Sequence, residues 1–325
     1  MHGGQKILHQ LKLKKCPRNI YKIVTNYFYN RKSQLNICDA TIIKAATRGC
    51  PQGSICSPGF WIILYDELLQ LNLPDGCTLQ AYADDALLLV ESNSFEQLQN
   101  IANEALEIIY QWGNGNKLSF NPSKTSAMIT TRRRKLEPIN INMAGTSIKM
   151  VTTMKYLGVM LDRSLTFRSH LAYISEKAGK LQPALNAVAR PTWGLNSHIL
   201  KIIYRGAVEP LILYCVPAFH KILSKKWAQK KLDQIQRGYL LRIIRRYRTT
   251  STAAAQIISG IEPLYLSGLY KANIFNVKQD KKISEQLLNL EIETAVSPLL
   301  ARHLTYFSNC LLDNCSSRNH HYAIY

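Results

Sequence analysis

Apolar positions recur at two different periods along this chain, and the change from one to the other divides it. Ile7, Leu8, Leu11 and Leu13 fall on one helical face, Pro17 interrupts, and Ile20 to Phe28 make a second helical segment. Gly59 to Leu71 is an apolar helix with Trp61, Leu64, Tyr65, Leu68 and Leu69 at helical spacing. Ser57 is expected as its N-cap and Pro58 at its first helical position. The period then shortens: Thr78 to Ala81 reads as a strand and Ala86 to Val90 as an apolar run of strand length. Ser94-x-x-Gln97 is a capping box opening a helix that carries Leu98, Ile101, Ala102, Ala105, Leu106, Ile109 and Trp112, with Gly113 expected to end it. Strands are expected again at Thr125 to Thr130, Ile139 to Met143 and Ile148 to Met150. From Phe167 onward the pattern is helical, clearest over His170 to Leu181, Ser197 to Val208 and Trp227 to Tyr247, and broken by Pro183, Pro191, Gly194, Pro210 and Pro217. Gln286 to Ala295 also reads as helix, and Ser297-Pro298 starts another.

Between the two expected strands stand Tyr82-Ala83-Asp84-Asp85, which places twin carboxylates at a hairpin tip with apolar sequence on both sides. Unpaired carboxylates held against apolar walls cost several kcal/mol each, roughly, so a neutralising cation is expected. Oxygen ligands suit Mg²⁺, which takes one or two protein carboxylates together with phosphate oxygens. That combination points to phosphoryl or nucleotidyl transfer with two ions, Asp84 and Asp85 serving as both metal ligands and catalytic residues. A solvated Asp-Asp in an exposed turn is the alternative reading of these four residues alone.

Upstream lies Arg48-Gly49-Cys50-Pro51-Gln52-Gly53-Ser54-Ile55-Cys56-Ser57-Pro58, a turn-rich segment that leads into the apolar helix. Pro-Gln-Gly-Ser-x-x-Ser-Pro followed by Ala-Tyr-Ala-Asp-Asp resembles the palm of reverse transcriptases, and among them non-LTR retrotransposons, in particular the insect type I elements that insert into ribosomal DNA. Leu118 to Thr125, Lys155-Tyr156-Leu157-Gly158-Val159 and the tract from Leu165 to Thr252 are similar to the same group, so the likeness covers roughly residues 5 to 270 in the right order. The resemblance implies an α+β fold: a partial palm over 1–162, an antiparallel sheet with packed helices, then an all-α thumb over 163–256 and a C-terminal extension over 257–325. It implies an RNA-directed DNA polymerase that uses two Mg²⁺ ions, an RNA template, a DNA primer supplied by nicked target DNA, and dNTPs. By the same resemblance Gln52, Gly53, Tyr82 and Ala83 lie beside nucleotide and template, Tyr156, Leu157 and Gly158 form a primer-grip-like hairpin, and Lys124 lies near the leaving pyrophosphate and can protonate it. A companion endonuclease belongs to the parent polyprotein, and the implied site of action is intracellular, nuclear at integration.

One departure matters. The palm strand that carries the first catalytic aspartate in this family is expected upstream of the N-terminal helices, and before Asp66 the only acid is Asp39, too late in the order. The fingers and that first strand are therefore expected to be missing and the fragment to be inactive alone.

Composition sharpens the partner. Lys and Arg total 41 against 21 acids, a net charge of +20 over 325 residues, which favours a polyanion. At 46% hydrophobic and 19% charged the chain can bury sizeable cores. No apolar run approaches about 18 residues, so no membrane partner is expected. The basic residues concentrate: nine lie between Lys225 and Arg248 against a single acid, Asp233. Lys225, Lys226, Lys230, Lys231, Arg237, Arg242, Arg245 and Arg246 suit a nucleic-acid backbone, while Trp227, Leu232, Ile235, Tyr239 and Ile243 can face inward. Of the eight cysteines most read as reduced core or loop thiols. Cys310-x4-Cys315 with His320 and His321 fits no common zinc pattern, so zinc at the C-terminus is not expected. Two other readings stay open here, a non-catalytic nucleic-acid-binding remnant of a decayed element and a helical interaction module.

Overall fold

The computed structural model describes residues 3–38, 40–45, 53–131, 133, 137–189, 193–279 and, as backbone, 320–324. The chain divides into two compact units. The first runs to Val151, apart from Thr130–Arg132, and includes the C-terminal strand; the second begins at Thr152.

In the first unit, helices α1 (Gly3–Leu13) and α2 (Arg18–Phe28) precede an exposed hairpin, β1 (Lys32–Ile37) and β2 (Ala40–Ala45), that the apolar pattern had not marked. Helix α3 (Ser57–Leu69) follows, then strands β3 (Cys77–Tyr82) and β4 (Asp85–Ser92), helix α4 (Phe95–Asn116) and strand β5 (Ser126–Thr130). Short strands β6 (Asn142–Met143), β7 (Thr146–Ser147) and β8 (Lys149–Met150) complete the unit where the sequence placed two longer ones. A five-stranded sheet runs β3, β4, the C-terminal strand His320–Ile324, β5, β8. The C-terminal strand is thus central, antiparallel to β4 with Ile324 opposite Leu88 and His320 opposite Ser92.

Two apolar clusters hold this unit. Leu98, Ala102, Ala105, Leu106, Ile109 and Trp112 of α4 bury against Leu88, Val90, Ala127 and Ile129 of the sheet. Ile7 and Leu11 of α1, Val24 of α2 and Phe60 of α3 make the second cluster. Helix α3 therefore serves both: Phe60 goes to the helices while Tyr65 and Leu68 go to the sheet. Leu69, expected on that face, is 45% exposed although its neighbour Leu68 is fully buried.

Caps correct the expected boundaries in instructive ways. Gln97 N–H donates to Ser94 Oγ at 3.2 Å, one half of the expected capping box, while the Gln97 side chain accepts from Ser92 Oγ at 3.3 Å. Gly113 does not end α4; the helix continues to Asn116, and Lys117 adopts the left-handed cap at φ 57°. The glycine answers a different need, since a Cβ there would lie 2.9 Å from both Leu118 O and the Phe120 ring as the chain doubles back. Ser57 lies inside the first turn of α3 rather than capping it, and Cys56 holds the cap position without a side-chain bond.

The second unit opens with a hairpin, β9 (Thr153–Tyr156) and β10 (Val159–Asp162), and continues as helices α5 (Arg168–Val188), α6 (Ser197–Ile203), α7 (Glu209–Ile212), α8 (Val216–Phe219), α9 (Lys226–Ile243), α10 (Thr252–Ser259) and α11 (Leu264–Gln279). Pro183, expected as a break, rides inside α5 on an exposed stretch. A π-helical turn, Tyr204–Val208, precedes Pro210, so Ser197 to Val208 is not one regular helix. One buried amide here is fully paired: Gln236 donates to Tyr204 Oη (3.1 Å) and Glu262 O (2.8 Å), and accepts from Gln256 at 2.9 Å. No helix among the described residues is long and apolar enough to cross a membrane.

His170, which sequence reading had treated only as the start of a helix, joins the hairpin to the helices. Its ring is 1% exposed, stacks edge-on against Phe219 at 5.0 Å, and its Nδ1 accepts from Met160 N–H at 3.3 Å. Burial pushes its pKa down to about 4, with Lys177 adding to the effect. The folded state therefore holds the ring neutral while the unfolded chain protonates below about 6.5, so this group's contribution is intact above that pH and is lost as pH falls toward 4. Denaturant melts of the chain should show about 2–3 kcal/mol more loss between pH 7 and pH 4.5 than melts of His170→Gln, which keeps an acceptor without the titration; equal pH dependence in the two proteins would contradict this assignment.

Candidate active site

The twin acids sit where the pattern placed them, at a hairpin tip. Tyr82 pairs with Asp85, so Ala83 and Asp84 alone form the turn between β3 and β4. Ala83 takes φ +54°, a left-handed backbone that costs a non-glycine residue about 1–2 kcal/mol. Something must hold it there, and α3 does. Trp61 Nε1–H donates to Ala83 O at 2.5 Å, Tyr65 Oη–H reaches Asp84 O at 3.5 Å, and the two rings pack 4.5 Å apart one helical turn from each other.

Electrostatics follow from this arrangement. Tyr65 is buried under the tip, and its pKa is pushed up to about 12, first by burial and then by the charges of Asp84 and Asp85. The phenol stays protonated at any physiological pH and remains a donor toward the turn. Asp84 itself is exposed and Asp85 half-buried, which corrects the expectation that apolar walls enclose both carboxylates. The apolar part of β4 begins one residue later, with Leu87 to Val90 buried. Burial alone therefore does not demand a cation; the case for one rests on two adjacent carboxylates with free faces, a donor set that fits Mg²⁺ with phosphate oxygens completing its shell. Among the described residues no group of three or more His, Cys, Asp or Glu side chains is gathered at one point.

The turn that precedes α3 is tied to the same assembly. Gly53 is left-handed at φ +78°, with open space where a Cβ would be, and Ser54 Oγ lies 2.8 Å from Tyr27 Oη on α2. Tyr27 and Phe28 in turn pack on Phe60 at 5.6 and 5.0 Å. Gln52 and Gly49 lie outside the described residues, as do Asp39, Cys310 and Cys315. Tyr82 is half-buried at the end of β3. Lys124 is exposed, in the turn that enters β5, its N–H bonded to Asn121 O at 3.1 Å. The described cysteines Cys16, Cys38, Cys56, Cys77 and Cys215 are free thiols.

Against this geometry, comparison with known proteins is decisive. Residues 4–161 match the family model described as reverse transcriptase (RNA-dependent DNA polymerase). This region belongs to the reverse transcriptase family. A 115 kDa protein of the type-1 retrotransposable element R1DM of Drosophila melanogaster is 33% identical over 260 residues, 80% of this chain and 25% of its own length. A retrovirus-related Pol polyprotein from type-1 retrotransposable element R1 2 of Nasonia vitripennis is 30% identical over 257 residues, 76% of this chain and 62% of its own. The RNA-directed DNA polymerase from mobile element jockey of Drosophila funebris is 25% identical over 228 residues, 67% of this chain and 24% of its own. The chain thus spans from a quarter to about three fifths of the first two relatives. The likeness to insect R1-type elements reaches past residue 161 into the helical unit, since it takes in 80% of the chain.

In the helical unit the Tyr156-Leu157-Gly158 hairpin is built as a two-residue turn with φ +44° at Leu157 and +84° at Gly158. Tyr156 is fully buried. Tyr214 Oη–H donates to Leu157 O at 3.0 Å, and a Cβ on Gly158 would sit 3.0 Å from the Tyr214 ring, so glycine lets the aromatic lie flat on the turn. The basic residues divide. Lys225, Lys226, Lys230, Arg245 and Arg246 are exposed and Lys231 and Arg242 half-buried, whereas Arg237 spends its guanidinium on Thr252 Oγ1 and Arg248 O and ties α9 to α10. Missed in the sequence were Trp61 and Tyr65 as supports of the tip; their i, i+4 spacing was visible, but nothing local says what an aromatic pair will touch.

The strained turn gives a direct test. Ala83→Gly should leave stability unchanged or raise it by up to about 1 kcal/mol in urea melts, since glycine adopts this backbone freely. Ala83→Val should lower it by about 2 kcal/mol, because a β-branched residue resists φ near +54°; the reverse order of the two variants would mean that the turn is not held as described.

Proposed function

We propose that this chain is part of an RNA-directed DNA polymerase encoded by a non-LTR retrotransposon polyprotein, extending a primer 3′-hydroxyl supplied by nicked target DNA. The observation that carries the reading is the two-residue turn bearing Asp84, held by Trp61 and Tyr65 at the start of β4, inside the stretch that matches the reverse transcriptase family.

In this reading Asp84 and Asp85 hold divalent ions such as Mg²⁺, whose chemistry is to favour the ionised 3′-hydroxyl and to stabilise charge on the phosphoryl oxygens. Asp84, exposed at the turn, is the stronger ligand and Asp85 assists from the first position of β4. A two-metal site needs carboxylates from separate strands, so a third acid from outside the described residues completes it. Ala83 and Tyr82 present backbone and ring beside the reacting nucleotide, Gln52 and Gly53 face nucleotide and template, and Lys124 supplies a proton to the departing pyrophosphate. Tyr156, Leu157 and Gly158 steady the primer end, and the exposed bases of α9 and its flanks neutralise backbone phosphates. Template RNA, target DNA and dNTPs are the partners, encountered inside the cell and in the nucleus at integration.

A second reading, a nucleic-acid-binding remnant without catalysis, draws on the net charge of +20, which suits a polyanion with or without chemistry at the tip. Primer extension separates the two. The parent polyprotein should extend a primer on an RNA template with dNTPs and Mg²⁺, and Asp84→Ala in that protein should reduce the rate by about 1,000-fold or more, the scale of losing a principal electrostatic group. An Asp84→Ala parent that still polymerises at near the unmodified rate would remove the catalytic role from this turn.

A further inference from the structure

The end of the α5–α9 helix pair carries a feature that duplex gripping does not require. The two helices run side by side in one direction: Arg168 stacks on Trp227 at 4.3 Å near both starts, and Tyr239 Oη–H donates to Ala178 O further along. Where they finish they leave a hollow of about 490 Å³. Arg242, Arg245, Arg246 and Arg248 line it with Tyr247, and among the described residues no carboxylate does. Four arginines line one hollow there without a counter-charge among the described lining residues.

Capping the helix does not explain this. One cation in the last turn answers the helix dipole and the orphan carbonyls, and Arg242 already occupies that turn. Arg245 goes further, for it stands at the left-handed position after the helix, φ +51°, with Arg246 N–H closing the motif onto Leu241 O at 3.2 Å. Glycine is the unstrained residue at such a cap. An arginine there puts its side chain at the hollow's wall, its Nη2–H steadied by Leu195 O at 2.9 Å. Asn186 lines the opposite side from α5, and its buried carboxamide oxygen has no hydrogen-bond partner. Tyr247 is 83% exposed among these cations, an aromatic face open to stacking.

We propose that this hollow binds one unpaired nucleotide of a single-stranded RNA or DNA, with its phosphates among the arginines, its base on Tyr247 and its polar edge toward Asn186. The inference rests on the nucleic-acid reading above and extends it from a phosphate-gripping face to a site that tells single strands from duplex. Its chemistry is that of single-strand binding generally, a cationic groove joined to an aromatic platform.

Fluorescence anisotropy on residues 1–325 with labelled oligonucleotides of about ten nucleotides tests it, using single-stranded RNA, single-stranded DNA, the duplex and heparin between about 50 and 200 mM salt. The single strands should bind tighter than the duplex. Tyr247→Ala should weaken single-strand binding by about tenfold at unchanged salt slope, and Tyr247→Phe should restore it. Arg246→Gln, an exposed change, should instead reduce the slope of log K on log salt by about one. Far-UV circular dichroism confirms that each variant is folded. RNA binding tighter than DNA, or equal to it, supports the site and shows whether the 2′-hydroxyl is read. Equal binding of duplex and single strand, unaffected by Tyr247→Ala, would overturn the proposal, as would heparin bound as tightly as RNA with no dependence on Tyr247. Polymerase activity does not enter: an inactive parent protein with intact Tyr247-dependent binding would refute the catalytic reading alone.

Discussion

The hydrogen bond from Trp61 to Ala83 O, backed by Tyr65 beneath Asp84, is the interaction on which the site depends. A two-residue turn with an alanine in the left-handed region does not hold its shape unaided; the strain is comparable to one or two ordinary net hydrogen bonds. Helix α3 provides the bonds and the apolar footing at once, because Leu68 and Tyr65 are anchored in the sheet core while Phe60 is anchored among α1 and α2. The carboxylates are presented to solvent by a buried lever. This explains how Asp84 can be exposed yet well positioned: the rigidity lies in the backbone below it, not in walls around it.

The same logic extends along the first unit. Tyr27 holds Ser54 and packs on Phe60, so the turn before α3 and the tip above it share one aromatic scaffold. Strand β4 carries the opposite requirement, with Leu87 to Val90 buried, and its free edge is covered by a strand from the far end of the chain. A sheet whose central position is filled by residues 320–324 stores long-range order in backbone pairing, which no local pattern encodes.

In the second unit, charge and packing are sorted on one helix. Leu232, Ile235, Tyr239, Leu240 and Ile243 of α9 are buried, and the inward stripe that the sequence implied is seen apart from Trp227, whose ring lies half-buried under Arg168. Gln236 is the exception within the stripe, a fully buried amide with every group used, which fixes the register of α9 against α10 and the loop at Glu262. The basic residues are consequently not equivalent. Arg237 is structural, Arg245 and its neighbours line a hollow, and the lysines at the start of α9 are solvent-facing.

What the amino-acid order determined by itself is local and periodic. The hairpin, the capped helix after Ser94, the twin acids at a tip and the basic amphipathic helix all follow from spacing, because side-chain period, caps and turn residues act within a few positions of one another. The family, too, was legible from short motifs in order. The tertiary structure alone decided what those elements touch: Gly113 serving a close chain return instead of a helix end, His170 neutral in a core, Trp61 and Tyr65 under the turn, and a distant C-terminal strand beside β4. Each depends on residues brought together from far apart in the chain, where burial and contact, and not propensity, set the energy.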